Sequence, residues 1–247
     1  MAQLKGSFTE KILWDFYASA YDDLARYYAP YREVMDEAEK ALTSGKKKYS
    51  TILDAGCGTG ELAIRLLNHG KKLTCMDVSD SMLALFRKKL ERMPEKKINC
   101  VVYKGDLNDK LGHKDKSFDA VSSIHALFML DDKFKALNEL NRVLKPGGRM
   151  VIAHVKPVSI PRLLKLEYAE NGFFAAVLVF FRLFKVGFIN IIVSGRHKKV
   201  YGITPADDII NHMKRKGYSL SAKKVLYRGF DDFMVFDKKA ENGSRKR

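Results

Sequence analysis

The segment 51–62 constrains the fold of this chain more than any other. It reads Thr-Ile-Leu-Asp-Ala-Gly-Cys-Gly-Thr-Gly-Glu-Leu, so an apolar, β-branched run ends at Asp54 and three alternate glycines follow: Gly56, Gly58 and Gly60. This order predicts a buried strand, a tight turn and the start of a helix, which together hold nucleotide-like ligands against the backbone. Glu61 stands where a dinucleotide site needs a small residue near the pyrophosphate. An acid at this turn repels phosphate and suits a cationic ligand.

Four later stretches have the pattern of further strands and turns. They are 72–77 (Lys-Leu-Thr-Cys-Met-Asp), 101–107 (Val-Val-Tyr-Lys-Gly-Asp-Leu), 118–125 (Phe-Asp-Ala-Val-Ser-Ser-Ile-His) and 141–152 (Asn-Arg-Val-Leu-Lys-Pro-Gly-Gly-Arg-Met-Val-Ile). Strands that alternate with helices form a parallel sheet, and ligands bind at the carboxyl ends of its strands. Asp77, Asp106 and His125 stand at such ends, so we expect them to converge with Asp54 on one crevice.

Together these stretches resemble the class I S-adenosylmethionine-dependent methyltransferases over roughly residues 50 to 155. The resemblance implies that S-adenosylmethionine is the cofactor, that Asp77 binds its ribose hydroxyls and that the loop at Asp106 contacts its adenine. It also implies an α/β fold with a doubly wound, seven-stranded, mostly parallel Rossmann-like sheet whose last strand is antiparallel. No metal is expected. The residues expected to bind the cofactor are Asp54, Gly56, Gly58, Gly60, Asp77, Val78, Met82, Asp106, Leu107, Ile124 and Tyr21.

The pattern divides the chain into five parts. Residues 1–45 are expected to form N-terminal cap helices, 46–159 the cofactor-binding core, 160–200 a helical insert after the fifth strand, 201–240 a C-terminal helix and hairpin, and 241–247 a basic tail. Thr204 is expected to cap the C-terminal helix, because proline and two acids follow it, and Gly217 to end that helix. Two strands, over 218–227 and 230–237, are expected to form an antiparallel hairpin.

Aromatic residues recur at helical spacing near the N-terminus. Residues 8–42 are predicted to be helical with a break at Pro30, and Trp14, Tyr17 and Tyr21 share one apolar face. This stretch resembles the helix that caps the cofactor in small-molecule methyltransferases, where aromatic side chains close over the methionine end. The alternative is that these aromatic residues only pack against the core.

Residues 173–193 of the insert are almost wholly apolar. On a helical wheel Arg182 and Lys185 fall on one side, and six apolar residues cluster on the other: Phe173, Val177, Phe180, Phe184, Phe188 and Ile191. Cations flank this stretch, with Arg162 and Lys165 before it and the cluster at 196–199 after it. An apolar face with basic edges predicts a helix that lies in a membrane interface. The alternative is a buried lid or a dimer helix over the active site.

Positive charge is concentrated in the last third of the chain. The formal net charge is +16, and residues 151–247 hold 19 Lys and Arg against 8 Asp and Glu. Such a segment favours an anionic neighbour, which can be nucleic acid, an acidic substrate or an anionic membrane surface. Solvated surface lysines are the alternative explanation.

Other features of the sequence predict an intracellular protein. The N-terminus lacks an apolar signal core, and no run of about eighteen uncharged apolar residues predicts a membrane span. Cys57, Cys75 and Cys100 are far apart in sequence and lack Cys-x-x-Cys spacing, so reduced, buried thiols are expected. We expect a cytoplasmic protein, peripheral to the inner face of the membrane if the insert binds lipid.

The expected cofactor also sets the chemistry that the protein must supply. A sulfonium methyl is already activated, so the protein has to align a nucleophile and exclude water. If the acceptor is a phenol, hydroxyl or amine, a base helps to remove its proton. His125 is the first catalytic candidate, with a packing role as its alternative. Tyr17 is the second candidate, and Tyr28 is a weaker one.

Three functions compete for this chain. The first is methylation of an amphipathic or lipid-like acceptor, such as an isoprenoid quinone precursor or an aminophospholipid, because the insert and the fifth motif resemble that subgroup. The second is methylation of a soluble small molecule with the insert as a lid. RNA methylation is disfavoured, because no Asn/Asp-Pro-Pro-aromatic sequence ends the fourth strand and no Pro-Cys pair occurs. A cofactor-sensing scaffold is the non-enzymatic alternative. A homodimer is compatible with the sequence.

Overall fold

The computed structural model describes residue 18 and residues 21–23, 27–45, 47–130, 132–156, 159–196 and 204–241. For residues 160 and 182–196 it describes the backbone alone. The predictions made for Trp14, Tyr17, residues 197–199 and the tail at 242–247 therefore lie outside the described residues.

Helices and strands alternate along the described chain. The helices are α1 (Ala29–Thr43), α2 (Glu61–Asn68), α3 (Asp80–Glu91), α4 (Pro94–Lys97), α5 (Lys133–Val143), α6 (Ile160–Arg196) and α7 (Ala206–Arg215). The strands are β1 (Thr51–Ala55), β2 (Lys72–Asp77), β3 (Cys100–Lys104), β4 (Phe118–Ile124), β5 (Leu144–Val155), β6 (Tyr218–Leu226) and β7 (Asp231–Lys238). Short 3₁₀ turns follow β4, at Leu127–Met129, and β6, at Tyr227–Gly229.

The strands form one seven-stranded sheet in the order β3-β2-β1-β4-β5-β7-β6. The pairs from β3 to β5 are parallel, and β7 runs antiparallel to both β5 and β6. The order of strands reverses between β1 and β4, where ligands bind in doubly wound sheets. The predicted α/β fold, with a mostly parallel Rossmann-like sheet and an antiparallel last strand, is confirmed.

Apolar helix faces cover both sides of the sheet. On one side α1, α2 and α3 contribute the fully buried Leu42, Leu66 and Phe86 to one core cluster. On the other side α5 and α7 contribute Leu137 and Ile209 to a second cluster. Because the central strands are covered on both faces, they consist of nearly continuous apolar runs. The ends of these strands are left for the polar residues of a site.

The helical insert after the fifth strand is present, and it consists of two helical segments. Gly172 interrupts α6 with φ +83° and ψ −179°, so the helix direction changes there. Leu163 in the first segment and Val179 in the second are buried in the same core cluster as residues of α1. Pro30 lies in the first turn of α1, which agrees with the predicted break. The insert and the cap therefore pack against one face of the sheet together.

The C-terminal helix begins differently from the prediction. The N-cap of α7 is Pro205, which has no side-chain cap bond, so the expected cap by Thr204 was wrong. Asp207 and Asp208 in the first turn favour the positive end of the helix dipole instead. The helix ends before Gly217, whose φ is +86°, and the predicted antiparallel hairpin follows.

Candidate active site

The turn between β1 and α2 is fixed to the end of β2 by its own backbone. The N–H groups of Gly56 and Cys57 both donate to the carbonyl oxygen of Met76, at 2.8 and 2.9 Å. The N–H of Gly58 donates to Oδ2 of Asp77 at 2.8 Å. This turn is therefore held in one conformation at the position where the strand order reverses.

Two of the glycines in this turn have different roles. Gly60 has φ +82°, and a Cβ built there would lie 2.1 Å from Cδ2 of Phe86, so no larger residue fits. Gly58 has φ +54°, and a Cβ there would meet no atom within 4 Å. The turn is thus packed on its inner side and open at Gly58. A ligand can lie against the backbone at that open side.

Two acids stand at the ends of β1 and β2. Asp54 is 3% exposed, and Ser122 Oγ donates to its Oδ1 at 2.8 Å. Burial, opposed by this hydrogen bond and assisted by the charge of Asp77, raises the pKa of Asp54 to about 6. Burial also raises the pKa of Asp77, although the N–H groups of Ser79 and Gly58 stabilise its carboxylate. Two carboxylates in a poorly solvated crevice favour a cationic ligand.

The loop after β3 adds a third acid. The Oδ1 atom of Asp106 accepts hydrogen bonds from the backbone N and the Nδ2 of Asn108, at 2.8 and 2.9 Å. The N–H of Gly105 donates to the carbonyl oxygen of Asp77 at 3.0 Å, which joins this loop to the end of β2. Leu107 is buried directly after the acid. The local bonds of Asp106 shape the loop, as Asp commonly does in turns.

The other predicted cofactor residues lie around the same strand ends. Met82 in the first turn of α3 and Ile124 at the end of β4 are buried, whereas Val78, next to Asp77, is half exposed. Tyr21 is partly buried and packs against the apolar cluster beneath the cap. The structure therefore places the predicted strand-end residues along one edge of the sheet.

A short piece of the cap is fixed directly to the glycine turn. Oδ1 of Asp22 is hydrogen-bonded to Oγ1 of Thr59 and lies 2.7 Å from Nζ of Lys89. Nζ of Lys89 also donates to the carbonyl oxygen of Thr59 at 3.0 Å. Sequence reasoning missed this ion pair, because Lys89 lies on an ordinary charged helix face and is 67 residues away from Asp22.

His125 forms a buried pair with Asp231. Its Nε2 lies 2.6 Å from Oδ2 of Asp231, and the two side chains are 8% and 0% exposed. The backbone of His125 is left-handed, with φ +53°, and its N–H donates to the carbonyl oxygen of Ala153 at 3.0 Å. His125 was predicted from the sequence as a site residue, and Asp231 was not. Two adjacent acids at the start of a buried strand were the signal for it.

Tyrosine rings enclose this pair. The rings of Tyr31 and Tyr227 meet the imidazole of His125 edge-on, with centroids 5.7 Å away in both cases. Tyr28 meets Tyr227 in the same way at 5.3 Å. Burial raises the pKa of Tyr28 to about 12 and those of Tyr31 and Tyr227 well above the usual range. Tyr28 therefore stays protonated near neutral pH, which argues against its predicted role as a base.

A partly buried ion-pair cluster joins the segment next to Tyr227 to the insert. The guanidinium of Arg228 lies 2.9 Å from Glu167 and 2.6 Å from Glu170, both on the first segment of α6. Arg228 and its neighbour Tyr227 have left-handed backbones, with φ of +55° and +52°. Non-glycine residues rarely adopt this conformation, and strained backbones of this kind cluster at active sites and ligand clamps.

A cavity lies between the cap and the insert, beside this cluster. Its volume is about 330 Å³, and it is lined by Tyr27, Tyr28, Pro30, Asn171, Leu178 and Arg228, among others. Since Tyr28 contacts Tyr227 and Tyr227 contacts His125, this cavity lies on the same side of the crevice as the buried pair. It is large enough for part of a small organic molecule.

The outer surface of the insert is unusually apolar. Its exposed large apolar side chains are Tyr168 (59%), Phe173 (64%), Phe174 (87%), Leu178 (51%), Phe180 (38%) and Phe181 (60%). A groove of about 390 Å³ runs between its two segments, lined by Leu164, Lys165, Tyr168, Phe173, Ala176, Val177 and Phe180. The face predicted to be apolar at 173, 177 and 180 thus points to this groove, and the neighbouring Ala176 and Val179 are buried. None of the helices that are described is long and apolar enough to cross a membrane.

The sheet order, the glycine turn and the strand-end acids define a class of enzyme domain. This chain carries a class I S-adenosylmethionine-dependent methyltransferase domain, and S-adenosylmethionine is the cofactor of that class. Residues 53–152 match the family model described as a methyltransferase domain.

Curated relatives agree with this assignment over the core. The chain is 35% identical over 122 residues to the ubiquinone/menaquinone biosynthesis C-methyltransferase UbiE of Escherichia coli and of Shigella boydii. The alignment covers 48% of this chain and 48% of each relative. The chain therefore matches about half the length of these curated proteins.

Solved structures share the fold over nearly the whole chain. The magnesium protoporphyrin IX methyltransferase of Synechocystis, solved with bound SAH, aligns with a TM-score of 0.63 and 16% identity over 93% of this chain and 100% of that chain. A putative S-adenosylmethionine-dependent methyltransferase of Methanococcus maripaludis aligns with a TM-score of 0.59 and 18% identity over 99% of both chains. Identities of this size support the fold alone.

Proposed function

We propose that this protein transfers a methyl group from S-adenosylmethionine to an amphipathic, lipid-like acceptor of the isoprenoid quinone precursor type. The choice of acceptor rests on one observation. The insert carries five exposed aromatic side chains and an apolar groove, and it packs against the cap in the same cluster as Tyr28, Tyr31 and Tyr227. The name of the 35%-identical relatives, which concerns quinone biosynthesis, supports the same acceptor class. Aminophospholipids share this amphipathic chemistry and are the second acceptor to test.

The residues at the strand ends fit the proposed cofactor. The open side at Gly58 receives the methionine part, Asp77 accepts from the ribose hydroxyls, and the Asp106–Leu107 loop lies at the adenine. The carboxylates of Asp54 and Asp77 favour the cationic ligand over a phosphate-bearing one. When bound, S-adenosylmethionine supplies a methyl group that its sulfonium charge has already activated. The pair formed by Asp22 and Lys89 holds the cap over this turn.

His125 is the proposed base of the reaction. In the proposed tautomer Nε2–H donates to Asp231, and Nδ1 is the ring nitrogen that accepts the proton of the acceptor. Removing the proton of a phenol or hydroxyl raises the electron density of the acceptor, at the oxygen and at the ring carbons beside it. Asp231 orients the imidazole and stabilises its charge after proton transfer, as a buried carboxylate does in a Ser-His-Asp triad. Tyr31 and Tyr227 exclude water from this pair.

The insert is proposed to lie on a membrane surface. Aromatic side chains enter the interface between headgroups and acyl chains, and nearby cations interact with anionic lipids. Arg162 and Lys165 are exposed on the first segment of α6, and Lys165 lines the groove. Each basic residue near an anionic membrane contributes about 1 kcal/mol, so the attachment is reversible and weakens with salt.

Vesicle sedimentation tests this proposal directly. The double variant Phe174→Ser and Phe181→Ser removes two side chains that are 87% and 60% exposed. We expect binding to vesicles with anionic lipid to weaken about tenfold or more, since burying each phenylalanine stabilises by about 1.5–3 kcal/mol. The affinity for S-adenosylhomocysteine should stay unchanged.

A matched control comes from the opposite end of the sheet. Ile98 and Val101 are 84% and 62% exposed beside the edge strand β3, so their double substitution by Ser removes comparable apolar surface. This control should bind vesicles like the wild type. Equal loss in both variants, or no loss in either, would contradict a membrane role for the insert.

The structure also supports the alternative of a soluble acceptor with the insert as a lid. Ala176 and Val179 are buried, and Arg228 holds the first segment of α6 beside the 330 Å³ cavity. Methyl transfer assays on a total lipid extract and on water-soluble phenols distinguish the two. Turnover of soluble acceptors alone would replace the lipid proposal with the lid.

A further inference from the structure

Unpaired polar atoms are concentrated at the cavity between the cap and the insert. Among the residues that the structure describes, seven buried side-chain nitrogen or oxygen atoms have no hydrogen-bond partner. Three of the seven belong to residues that line this one cavity: the hydroxyl of Tyr28, Oε2 of Glu167 and Nε of Arg228. Buried polar groups in folded proteins are nearly always paired, so three unpaired ones at a single cavity indicate that they serve a ligand.

The ion pair at this cavity leaves part of each charged group unpaired. Nη2 of Arg228 lies 2.9 Å from Oε2 of Glu167, but the two atoms form no hydrogen bond. Oε1 of Glu167 accepts from Nδ2 of Asn171 at 2.7 Å. Nη1 of Arg228 donates to Oε2 of Glu170 at 2.6 Å. One acceptor atom, Oε2 of Glu167, and one donor group, Nε–H of Arg228, therefore remain for a ligand.

Tyr28 supplies a second donor. The residue is 2% exposed, and burial raises the pKa of Tyr28 to about 12, so its hydroxyl keeps its proton near neutral pH. Its ring lies edge-on against Tyr227, the residue before Arg228. Since Tyr227 and Arg228 both have left-handed backbones, the guanidinium is held at the cavity by a strained segment of chain.

The unpaired atoms define the head group that fits. A neutral hydroxyl can donate to Glu167 and accept from Nε–H of Arg228 or from the Tyr28 hydroxyl. A carboxylate can only accept, and it would lie beside two carboxylates that share one guanidinium. An ammonium can only donate, so Nε–H would stay unpaired. An apolar group would leave all three atoms unpaired, which is costly in a buried site.

The other walls of the cavity are largely apolar. Pro30 of the cap and Ala175, Leu178 and Val179 of the insert line it beside the polar cluster. Its volume of about 330 Å³ lies within the range of small-molecule sites. The cavity thus suits a small amphipathic molecule, with an apolar body against the insert and a hydroxyl at Arg228.

We propose that this cavity is a binding site for a neutral hydroxyl group on an apolar body, as in a phenol or an alcohol, and that Tyr28, Glu167 and Arg228 recognise the hydroxyl. Two sources share this chemistry: a part of the methyl acceptor away from His125, and a separate small molecule. Only the distinction between these sources rests on the proposed function, because methyl transfer is its readout. Bound there, the hydroxyl joins the cap to the insert, since Tyr28 belongs to the first and Glu167 to the second.

The first experiment titrates the whole protein with three probes that share a methylphenyl body. They are 4-methylphenol, 4-methylanisole, whose ether oxygen accepts but cannot donate, and the anion 4-methylbenzoate. We expect 4-methylphenol to bind about tenfold more tightly than either, the size of effect that an unpaired buried polar group produces. NMR spectroscopy of the probes measures the dissociation constants. Equal binding of 4-methylphenol and 4-methylanisole, tighter binding of 4-methylbenzoate, or no binding at all overturns the proposal.

Two variants locate the binding. Tyr28→Phe should weaken 4-methylphenol several-fold, and Glu167→Gln should reduce the preference for 4-methylphenol over 4-methylbenzoate by about tenfold, because one carboxylate is removed. The control Tyr168→Phe removes an exposed hydroxyl from the neighbouring groove and should change neither value. Probe affinities that stay unchanged in both cavity variants would place the binding elsewhere and overturn the proposal.

Thermal unfolding separates recognition from a role in the fold. Because the Tyr28 hydroxyl has no partner in the free protein, Tyr28→Phe should not lower the unfolding temperature without a probe. A lower temperature together with unchanged probe affinity would assign this hydroxyl to the fold.

Steady-state kinetics distinguishes the two sources of the hydroxyl. If it belongs to the acceptor, 4-methylphenol should raise the acceptor KM and leave kcat unchanged. If it belongs to a separate molecule, the probe should change kcat instead. Both effects should weaken in Tyr28→Phe. A protein that transfers no methyl group contradicts the proposed function, while the titrations still test the site.

Discussion

The cofactor side and the acceptor side of this molecule are built in different ways. The cofactor side consists of the ends of β1, β2 and β3 with their turns, within residues 51–107. The proposed acceptor side combines residues 27–31 of the cap, His125, the insert and the turn before β7. The first is local in sequence and uses backbone groups and carboxylates. The second joins distant segments through tyrosine rings and ion pairs.

This difference shows how one sheet can serve many acceptors. A single cofactor needs the same donors and acceptors at the same strand ends. An acceptor is recognised by elements added around the sheet, which can change without disturbing its hydrogen-bonded core. If this division is correct, variants on the cofactor side should change cofactor affinity, and variants on the acceptor side should change turnover or acceptor KM alone.

The largest effect is expected at His125. We expect His125→Gln to lower turnover by about 10²- to 10⁴-fold, since it removes the proposed base, while the affinity for S-adenosylhomocysteine stays within about twofold. Steady-state kinetics and calorimetry measure the two quantities. The control is His69→Gln, because His69 is an exposed surface histidine paired with Glu39. Normal turnover in the His125 variant would assign this residue to packing.

At Asp77 the main effect is expected on cofactor affinity. Losing its carboxylate removes charge-assisted hydrogen bonds worth about 1.5–3 kcal/mol each, so Asp77→Ala should bind S-adenosylmethionine at least about tenfold more weakly. Asp80→Ala is the control, since Asp80 is an exposed acid three positions later that pairs with Lys104. Unchanged affinity for Asp77→Ala, or tighter binding of NAD than of S-adenosylmethionine, would refute the proposed cofactor site.

The charge of Asp54 is expected to lower the free energy of unfolding and to raise the affinity for S-adenosylmethionine. Its pKa rises from 3.8 unfolded to about 6 in the folded protein, so the folded state loses stability as the pH rises through this interval. Asp54→Asn removes that loss and keeps an acceptor for Ser122. We expect the free energy of unfolding to increase by about 1–3 kcal/mol at pH 7.5 and to change little near pH 4.

The same residue should make cofactor binding depend on pH. In the wild type, affinity for the cationic S-adenosylmethionine should fall below pH 6 as Asp54 becomes protonated. The Asn variant should bind weakly at both pH values. Denaturant titrations and calorimetry at pH 5 and pH 7.5 give both results. A variant that is less stable at pH 7.5 would show that the Asp54 charge supports the fold.

The smallest effect is expected at Arg228. Arg228→Lys keeps the charge and the backbone conformation but loses the two-pronged contact with Glu167 and Glu170. We expect a loss of about 1 kcal/mol in unfolding free energy and a several-fold higher KM for the acceptor. The affinity for S-adenosylhomocysteine should not change. A weaker cofactor affinity would show that the two sides are coupled.

The sequence was sufficient for the sheet and the strand-end acids, since each depends on a local pattern of apolar runs, acids and glycines. It was insufficient for the acceptor side. Asp231 became a partner of His125 only because β7 pairs with β5, which brings together residues 106 positions apart. The contact between Cys75 and Cys100 escaped the sequence for the same reason, because it is the parallel pairing of β2 with β3 that brings their Sγ atoms to 3.8 Å. Contacts that form when distant strands pair leave no pattern in the sequence around either residue.

The place of Asp231 on the last strand has a consequence for how the molecule is made. A nascent chain emerges from the ribosome N-terminus first, so the cofactor turn, its acids and His125 are all synthesised before β7. Until β7 pairs with β5, the imidazole has no carboxylate beside it, and β5 presents an open edge to other chains. The order of synthesis thus completes the residues of the proposed cofactor site first and the proposed base last. A product truncated before Asp231 would hold the cofactor residues, but no carboxylate would orient the imidazole of His125.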